Sequence, residues 1–447
     1  MMHELDFFFN PGSIAVIGVS RSPDKIGSVI FQNFFDSIYT GNVYAVNPNA
    51  ESVFERKCYP SVKDIEADVD LAVIAIPASG VLQSLKDCIE KGVKGCIVIT
   101  AGFSEIGDKK IEEEMAKIAK GRIRIIGPNV MGLYDSYSGV DTIFNAKYRQ
   151  GRPGKGGIAF VSQSGAFGSA LMDWCVNEGV GLSKFVSIGN RVDVDETDLL
   201  DYLAEDEATK VIAVYLESTK NGRRFYEKLK SVTKKKPVII MKVGRSAEGV
   251  KAAKSHTGSL AGSAGIYSGL FRQAGAIEAK GTEDLFDFAK ALALPRLRSS
   301  RVQIITNGGG FGVIAADAVV QNGLRLAGLG ENSKKAIKRI VPEFATVSNP
   351  IDLTGNSTSK MYENTLKAVL EDGNVDAVII ILLLQVSSLE SNVIESIIKM
   401  KSYGKPIVVC STGGEFTDLH KKLLEESSVP VYPTPERAVK AIRSLSL

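Results

Sequence analysis

Ile14-Ala15-Val16-Ile17-Gly18-Val19-Ser20-Arg21-Ser22-Pro23-Asp24-Lys25-Ile26-Gly27 decides how the chain is read. Four apolar residues in a row suit a short strand buried on both faces, as in a parallel sheet. Gly18 ends the run, a polar loop follows, and Ile26-Gly27 opens a helix-like stretch. The same rhythm returns at residues 43–46, 71–76, 96–99 and 123–126, then at 158–161, 185–188, 211–216 and 238–241, and again at 302–305, 378–381 and 406–410. Apolar runs alternating with helix-like stretches predict an α/β protein whose parallel sheets are covered on both faces.

Three parallel-sheet units are expected: 1–147, 151–294 and 302–447. The glycine-rich stretch Gly151-Arg152-Pro153-Gly154-Lys155-Gly156-Gly157 separates the first two, and Pro295-Arg296-Leu297-Arg298-Ser299-Ser300 links the second to the third. The last unit should close with a helix from Pro435 to about Leu445. Units two and three share a rhythm that suggests related folds, without a residue-level repeat.

The length of 447 residues allows about three domains. With 44% hydrophobic and 23% charged residues, a soluble globular protein is expected. A net charge of +3 is too small to make nucleic acid the main partner. The densest basic run, Lys234-Lys235-Lys236, reads as a solvated turn before a strand. Five cysteines stand without CxxC spacing, which argues against a zinc site or a disulfide framework and suits a reducing, cytoplasmic setting. No metal is expected on this chain. Asp6 interrupts the short apolar start, so no secretory leader is expected, and no apolar run approaches the roughly 20 residues of a membrane span.

The loops after the strands carry the chemistry. The loop from Gly18 to Gly27 leaves a strand and enters a helix, a place suited to phosphates. It is not a GxGxxG, and Asn47-Pro48 stands at the end of the second strand, where a nicotinamide-cofactor site places an acid. A nicotinamide-dependent dehydrogenase is therefore disfavoured. Ser20, Arg21 and Lys25 offer a hydroxyl and two cations, which suits a ligand with several phosphates, although a generic turn would look much the same. Pro77, Ala101-Gly102-Phe103-Ser104-Glu105 and Asn129 fall at matching strand ends, together forming a crevice long enough for an extended nucleotide with an arm.

In the second unit, Val161-Ser162-Gln163-Ser164-Gly165-Ala166 reads as strand, tight turn and helix. Ser164 and the N–H groups around Gly165 and Ala166 would face an anion, or Ser164 is an ordinary cap. The chain has three histidines. His3 sits at a frayed start and His420 on a helix face read as solvated. Only His256, in Lys254-Ser255-His256-Thr257-Gly258-Ser259, stands in a loop built for close approach, where Gly258 removes side-chain bulk. Glu217 closes the strand 211–216, where a carboxylate could accept one ring N–H of His256 and leave the other nitrogen nucleophilic. Taken alone, the two residues read as a surface-loop histidine and a solvated glutamate. The weight shifts towards a phosphoryl carrier only with the rest of the chain. Thr306-Asn307-Gly308-Gly309-Gly310 and Asn349-Pro350-Ile351-Asp352 look like ligand- or interface-facing loops, and no GxxxxGK[ST] occurs.

These motifs in this order, each after a strand, resemble the alpha subunits of ADP-forming acetyl-CoA synthetases, in the nucleoside-diphosphate-forming acyl-CoA synthetase superfamily. The resemblance rests on the Gly18–Gly27 loop, Asn47-Pro48, Ala101 to Glu105, Gly127-Pro128-Asn129, Ser162-Gln163-Ser164-Gly165 and Ser255-His256-Thr257-Gly258. It implies a Rossmann-like CoA-binding domain followed by two flavodoxin-like domains. Its cofactors and substrates would be coenzyme A or acetyl-CoA and phosphate, with ADP or ATP and Mg2+ bound on an ATP-grasp beta subunit in an α2β2 assembly. It implies a ligase in which His256 carries the phosphoryl group, Glu217 steadies it, and Ser164, Gly165, Ala166 and Gly258 cradle phosphate. CoA would lie along Gly18, Ser20, Arg21, Lys25, Asn47, Pro48, Pro77, residues 101–105 and Asn129. The family often has cysteine after Gly-Pro-Asn; here Val130 stands there, so no covalent cysteine step is expected. A non-catalytic CoA-sensing subunit is the alternative, and it would leave the His256 loop without a purpose.

Overall fold

The computed structural model describes residues 3–249, 251 and 263–446. The chain forms two compact units, Met1–Val176 with Gly181–Lys280, and Asn177–Val180 with Gly281–Leu447. It is α/β throughout, with three mostly parallel sheets.

The first sheet, in the larger unit, holds β1 (Ser13–Ile17), β2 (Asn42–Val46), β3 (Ser52–Val53), β4 (Arg56–Tyr59), β5 (Leu71–Ile74), β6 (Gly95–Val98) and β7 (Arg124–Ile126). Their order is β3-β4-β2-β1-β5-β6-β7. Ile14 of β1 lies opposite Val43 on one side and Leu71 on the other, both in parallel pairing. Only the short β3–β4 edge is antiparallel. Every residue of β1, β5 and β6 is buried, which explains the unbroken apolar runs. Each fully buried aliphatic side chain contributes about 1.5–3 kcal/mol. Strand order reverses at β1, so a crevice opens between the ends of β1 and β5.

The second sheet, in the same unit, contains β8 (Leu133–Asp135), β9 (Lys155–Ser162), β10 (Leu182–Ser187), β11 (Val211–Leu216), β12 (Val238–Lys242) and β13 (Ile277–Glu278). Its order is β13-β12-β11-β9-β10-β8, with β8 antiparallel to β10. β9 is the strand at which this order reverses, and the helix Gly165–Glu178 begins just beyond it.

The second unit carries β14 (Arg301–Thr306), β15 (Arg325–Leu326), β16 (Ile351–Asp352), β17 (Ala377–Ile381), β18 (Ile407–Cys410) and β19 (Val431–Tyr432). They run β15-β14-β17-β18-β19, and β16 pairs beside the end of β14. The helix Thr282–Leu292 belongs with this sheet. Asp287 takes Nε and Nη2 of Arg437 at 2.7 and 2.8 Å, and the buried Lys290 reaches Glu425 at 2.5 Å. The closing helix is Pro435–Ser444.

Two polar readings change, and a third, the solvated basic turn, holds for Lys234 and Lys235 but not for Lys236. His420 is buried, its ring 4.5 Å from that of Phe416 and its Nδ1 2.7 Å from the Phe416 carbonyl oxygen, so one helical turn of stacking removes it from solvent. His3 is packed edge-on to Tyr202 at 5.3 Å and accepts the Leu5 N–H. In the basic run, Lys236 is half-buried and donates to the carbonyls of Leu203 and Asp206 at 2.7 and 2.5 Å, while Lys235 pairs with Glu205. The five cysteines are buried and unbridged. Among the described residues no helix is long and apolar enough to cross a membrane, and no group of three or more His, Cys, Asp or Glu is placed to hold a metal ion.

Candidate functional site

The β1–β5 crevice depends on two glycines. Gly18 has φ +104°, and a Cβ there would stand 2.3 Å from the Ala75 carbonyl oxygen. A Cβ at Gly27, the second residue of the helix Ile26–Asn33, would stand 2.3 Å from the Gly18 carbonyl oxygen. The turn therefore lies flat between strand and helix, which only residues without a side chain permit. Ser20 is fastened to the same helix: its N–H donates to Ser28 Oγ at 2.9 Å, and that hydroxyl donates back to the Ser20 carbonyl at 2.8 Å.

From here a cavity of about 1640 Å³ extends to the carboxyl ends of β9 and β11. Of the expected CoA residues, Gly18, Ser20, Lys25, Pro77, Ala101, Ser104, Glu105 and Asn129 line it. Asn47 and Pro48 line a neighbouring cavity of about 530 Å³ that also touches Gly18 and Pro77. Asn47 braces the loop by donating to the Val19 carbonyl at 2.6 Å. Arg21 is exposed, and Arg21, Gly102 and Phe103 line neither cavity. Phe103 is fully buried in the core beside the first sheet.

Glu105 shapes its own loop. Its Oε1 accepts the N–H groups of Gly102 and Phe103, the latter at 3.1 Å, and its Oε2 accepts Asn190 Nδ2 at 2.6 Å. Burial pushes this carboxyl up, but the bonds from Gly102 and Asn190 outweigh it and leave it below the ordinary glutamate value. Glu112 takes the Ser104 hydroxyl at 2.8 Å and the same Asn190 amide at 2.5 Å. Asn129, at φ +61°, donates to Asn190 Oδ1 at 3.2 Å.

At the other end of the cavity stand Ser164, Gly165, Ala166 and Glu217. Ser164 Oγ accepts the Phe167 N–H at 3.2 Å, which makes Ser164 the N-cap of the helix Gly165–Glu178. Gly165 and Ala166 are the first helical residues, and their N–H groups have no carbonyl one turn back. The positive end of the helix and these donors make an anion seat without an added cation. Glu217 is 5% exposed, so it is no solvated glutamate. Its charge is felt by Tyr215, pushed up to about 12 first by burial and then by Glu217, and by Lys242, which burial lowers and Glu217 raises.

His256 and Gly258 lie outside the described residues. Gln163, Asn190, Arg191 and Lys220 also line the cavity and were not singled out as site residues from the sequence. Gln163 was visible only as part of Ser-Gln-Ser-Gly; the others sit in stretches without a motif. The arrangement can hold an elongated anionic ligand along the first sheet and bring its far end to an anion seat beside a buried carboxylate.

Comparison with known proteins gives three family matches in sequence order: "CoA binding domain" over residues 12–135, "Succinyl-CoA ligase like flavodoxin domain" over 155–292, and "Ligase-CoA domain" over 302–444. The acetate–CoA ligase [ADP-forming] II subunit alpha of Pyrococcus furiosus is 41% identical, over 99% of this chain and 97% of its own. The 4-hydroxybutyrate–CoA ligase [ADP-forming] of Nitrosopumilus maritimus is 36% identical over 98% of this chain and 63% of its own. The solved dinucleotide-forming acetyl-coenzyme A synthetase 1 of Ca. Korarchaeum cryptofilum, in complex with phosphate and ADP, superposes with a TM-score of 0.92 at 40% identity, over 99% of this chain and 96% of that one.

Proposed function

This chain belongs to the alpha subunits of the ADP-forming acyl-CoA synthetases, and from that premise we propose how it works and on what. Acyl-CoA lies along the β1–β5 crevice, with its phosphates towards Ser20 and Lys25 and its thioester towards Ser164. Inorganic phosphate, held at the start of the helix Gly165–Glu178, attacks the thioester carbonyl. The carbon–sulfur bond breaks, and CoA thiolate and acyl phosphate result. A ring nitrogen of His256 then takes the phosphoryl group from the acyl phosphate and releases the acid. Glu217 accepts the N–H of the other ring nitrogen, fixes the tautomer and steadies the positive charge that phosphorylation leaves on the ring. The phosphohistidine passes the group to ADP, with Mg2+, on an ATP-grasp partner subunit. Two copies of each subunit assemble, and the whole sequence is reversible.

One observation carries this reading. CoA-loop residues of the first sheet and the Ser164–Glu217 constellation of the second line the same cavity. Acetate is the proposed acid, with the relative that acts on 4-hydroxybutyrate marking how the acid varies at similar identity.

The test is to incubate the purified chain with acetyl-CoA and labelled phosphate. An acid-labile, alkali-stable label on His256 is expected, and His256→Ala should abolish it while CoA still binds. CoA binding without any label would support a sensor subunit instead and overturn the relay.

A further inference from the structure

We propose that the loop Gly189-Asn190-Arg191 positions both halves of this site, Asn190 holding the CoA-side loop and Arg191, with Gln163, holding the strand end that carries Glu217. The proposal rests on the functional reading above. It adds residues that touch neither CoA nor phosphate in that reading.

The loop is bonded to both sheets through its backbone. The Asn190 and Val192 N–H groups donate to the carbonyls of Pro128 and Gly127 at 2.9 and 2.8 Å, beyond the first sheet. The Ile188 N–H donates to the Ser162 carbonyl at 2.9 Å, in the second. Gly189 is pressed onto the first attachment: at φ +50°, a Cβ there would come 2.2 Å from the Pro128 carbonyl oxygen.

The two side chains then diverge. The Asn190 amide bridges Glu105 and Glu112 at 2.6 and 2.5 Å and accepts from Asn129 at 3.2 Å, so one side chain ties together the turn at Glu105, the first turn of the helix Lys110–Ala119 and the loop at Asn129. Arg191 is 7% exposed and forks onto Ser218, Nη1 to its carbonyl at 2.8 Å and Nη2 to its hydroxyl at 3.0 Å. Gln163 completes the grip: its Oε1 accepts the N–H groups of Glu217 and Ser218 at 2.7 and 3.1 Å, and its Nε2 donates to the Ser218 carbonyl at 2.8 Å. Glu196 joins the two holders, 3.1 Å from Arg191 and 3.2 Å from Gln163.

Two features favour a positioning role over a purely stabilising one. Arg191 sits at φ +58°, where a residue other than glycine is strained. Its ion pair with Glu196 is buried, and such pairs add little net stability against apolar packing. A strained, buried fork that ends on the carbonyl and hydroxyl of Ser218, the neighbour of Glu217, and is steadied by Glu196, is explained by the geometry it enforces.

The experiment uses the alpha–beta complex and reads three quantities for each variant: KM for CoA, the rate of acid-labile labelling of this chain from labelled ATP, and the melting temperature. Asn190→Ala should raise KM for CoA about tenfold and act less on labelling. Arg191→Lys and Ser218→Ala, which break the fork while keeping charge or backbone, should slow labelling about 10- to 100-fold, the scale of a misplaced catalytic group, and act less on KM. Gly189→Ala should move both quantities. The opposite ratio of effects, or wild-type labelling in both fork variants with unchanged melting, overturns the proposal. A wild-type complex that never labels this chain overturns the phosphohistidine reading itself, so the two failures are told apart.

Discussion

Gly18 is the residue on which the CoA side turns. At φ +104° with a would-be Cβ 2.3 Å from the Ala75 carbonyl oxygen, the position has neither the backbone freedom nor the space for a side chain. The dihedral alone would cost Gly18→Ala about 1–3 kcal/mol, and the clash with fixed backbone adds to it. The variant should melt several degrees lower and bind CoA weakly; an unchanged melt and an unchanged CoA titration would show that the loop has room. Glu105 makes a pH-dependent statement in the same crevice. Its carboxyl lies below the ordinary glutamate value: burial raises it, and the bonds from Gly102 and Asn190 more than offset that. A depressed value means the ionised form is favoured by folding. Its contribution is present above the unfolded value of about 4.3 and is lost as pH falls through the lower folded value. With Glu105 shaping the loop, CoA affinity should therefore fall on acidification, at a pH below the ordinary glutamate value. Glu105→Gln should bind more weakly at neutral pH but lose that acid limb, as titration calorimetry across pH would show.

At the scale of elements, the helix Gly165–Glu178 and strand β10 each depend on a short polar contact. Removing the Ser164 cap costs about 1 kcal/mol of helix stability. Because the same residue lines the cavity, Ser164→Ala should lower turnover by more than the roughly fivefold that about 1 kcal/mol represents, and comparing melting with turnover separates the two. Lys184 of β10 is 3% exposed and lies 3.1 Å from Asp135 of β8 and 2.9 Å from Asp206. Lys184→Met leaves these acids without their cation. It should destabilise by about 3–5 kcal/mol, the scale of a broken buried pair, in denaturant unfolding. These elements also show what could be read in advance. The central strands were legible because burial on both faces leaves unbroken runs such as Leu71–Ile74. The edge strands β13, β15, β16 and β19 have two residues each, too few for any period to appear. The loops after β1 and β9 were legible because glycine and serine mark a turn into a helix. The Asn190–Arg191 pair was not: its role arises from what the fold brings to it from residues 105, 112, 163 and 218, and no local pattern records that. His420 misled because one polar residue between charged neighbours reads as solvated until its ring is seen against Phe416.

Over the whole molecule, the proposed chemistry divides at the phosphoryl group. In that reading the cavity offers phosphate a helix start and CoA a crevice, lined by hydroxyls and the buried Glu217 carboxylate. Helix dipoles can hold phosphate at rest, but phosphoryl transfer onto a nucleoside diphosphate calls on a divalent cation that neutralises the β- and γ-phosphate oxygens. No Walker-type phosphate loop occurs in the sequence, and no metal-holding cluster exists among the described residues. On the proposed reading, which places ADP and Mg2+ on the partner, loading and unloading of the phosphoryl carrier should need different proteins. The purified chain, given acetyl-CoA and labelled phosphate, should acquire label in an amount close to one per chain and then stop. Adding ADP and Mg2+ should leave that label in place. Adding the beta subunit as well should discharge it into ATP within the time of one turnover. A pulse of labelled phosphate followed by these two additions in order measures each step. Label discharged by ADP and Mg2+ before the partner is present would mean that the chain holds a nucleotide site of its own, and the division of labour would have to be redrawn.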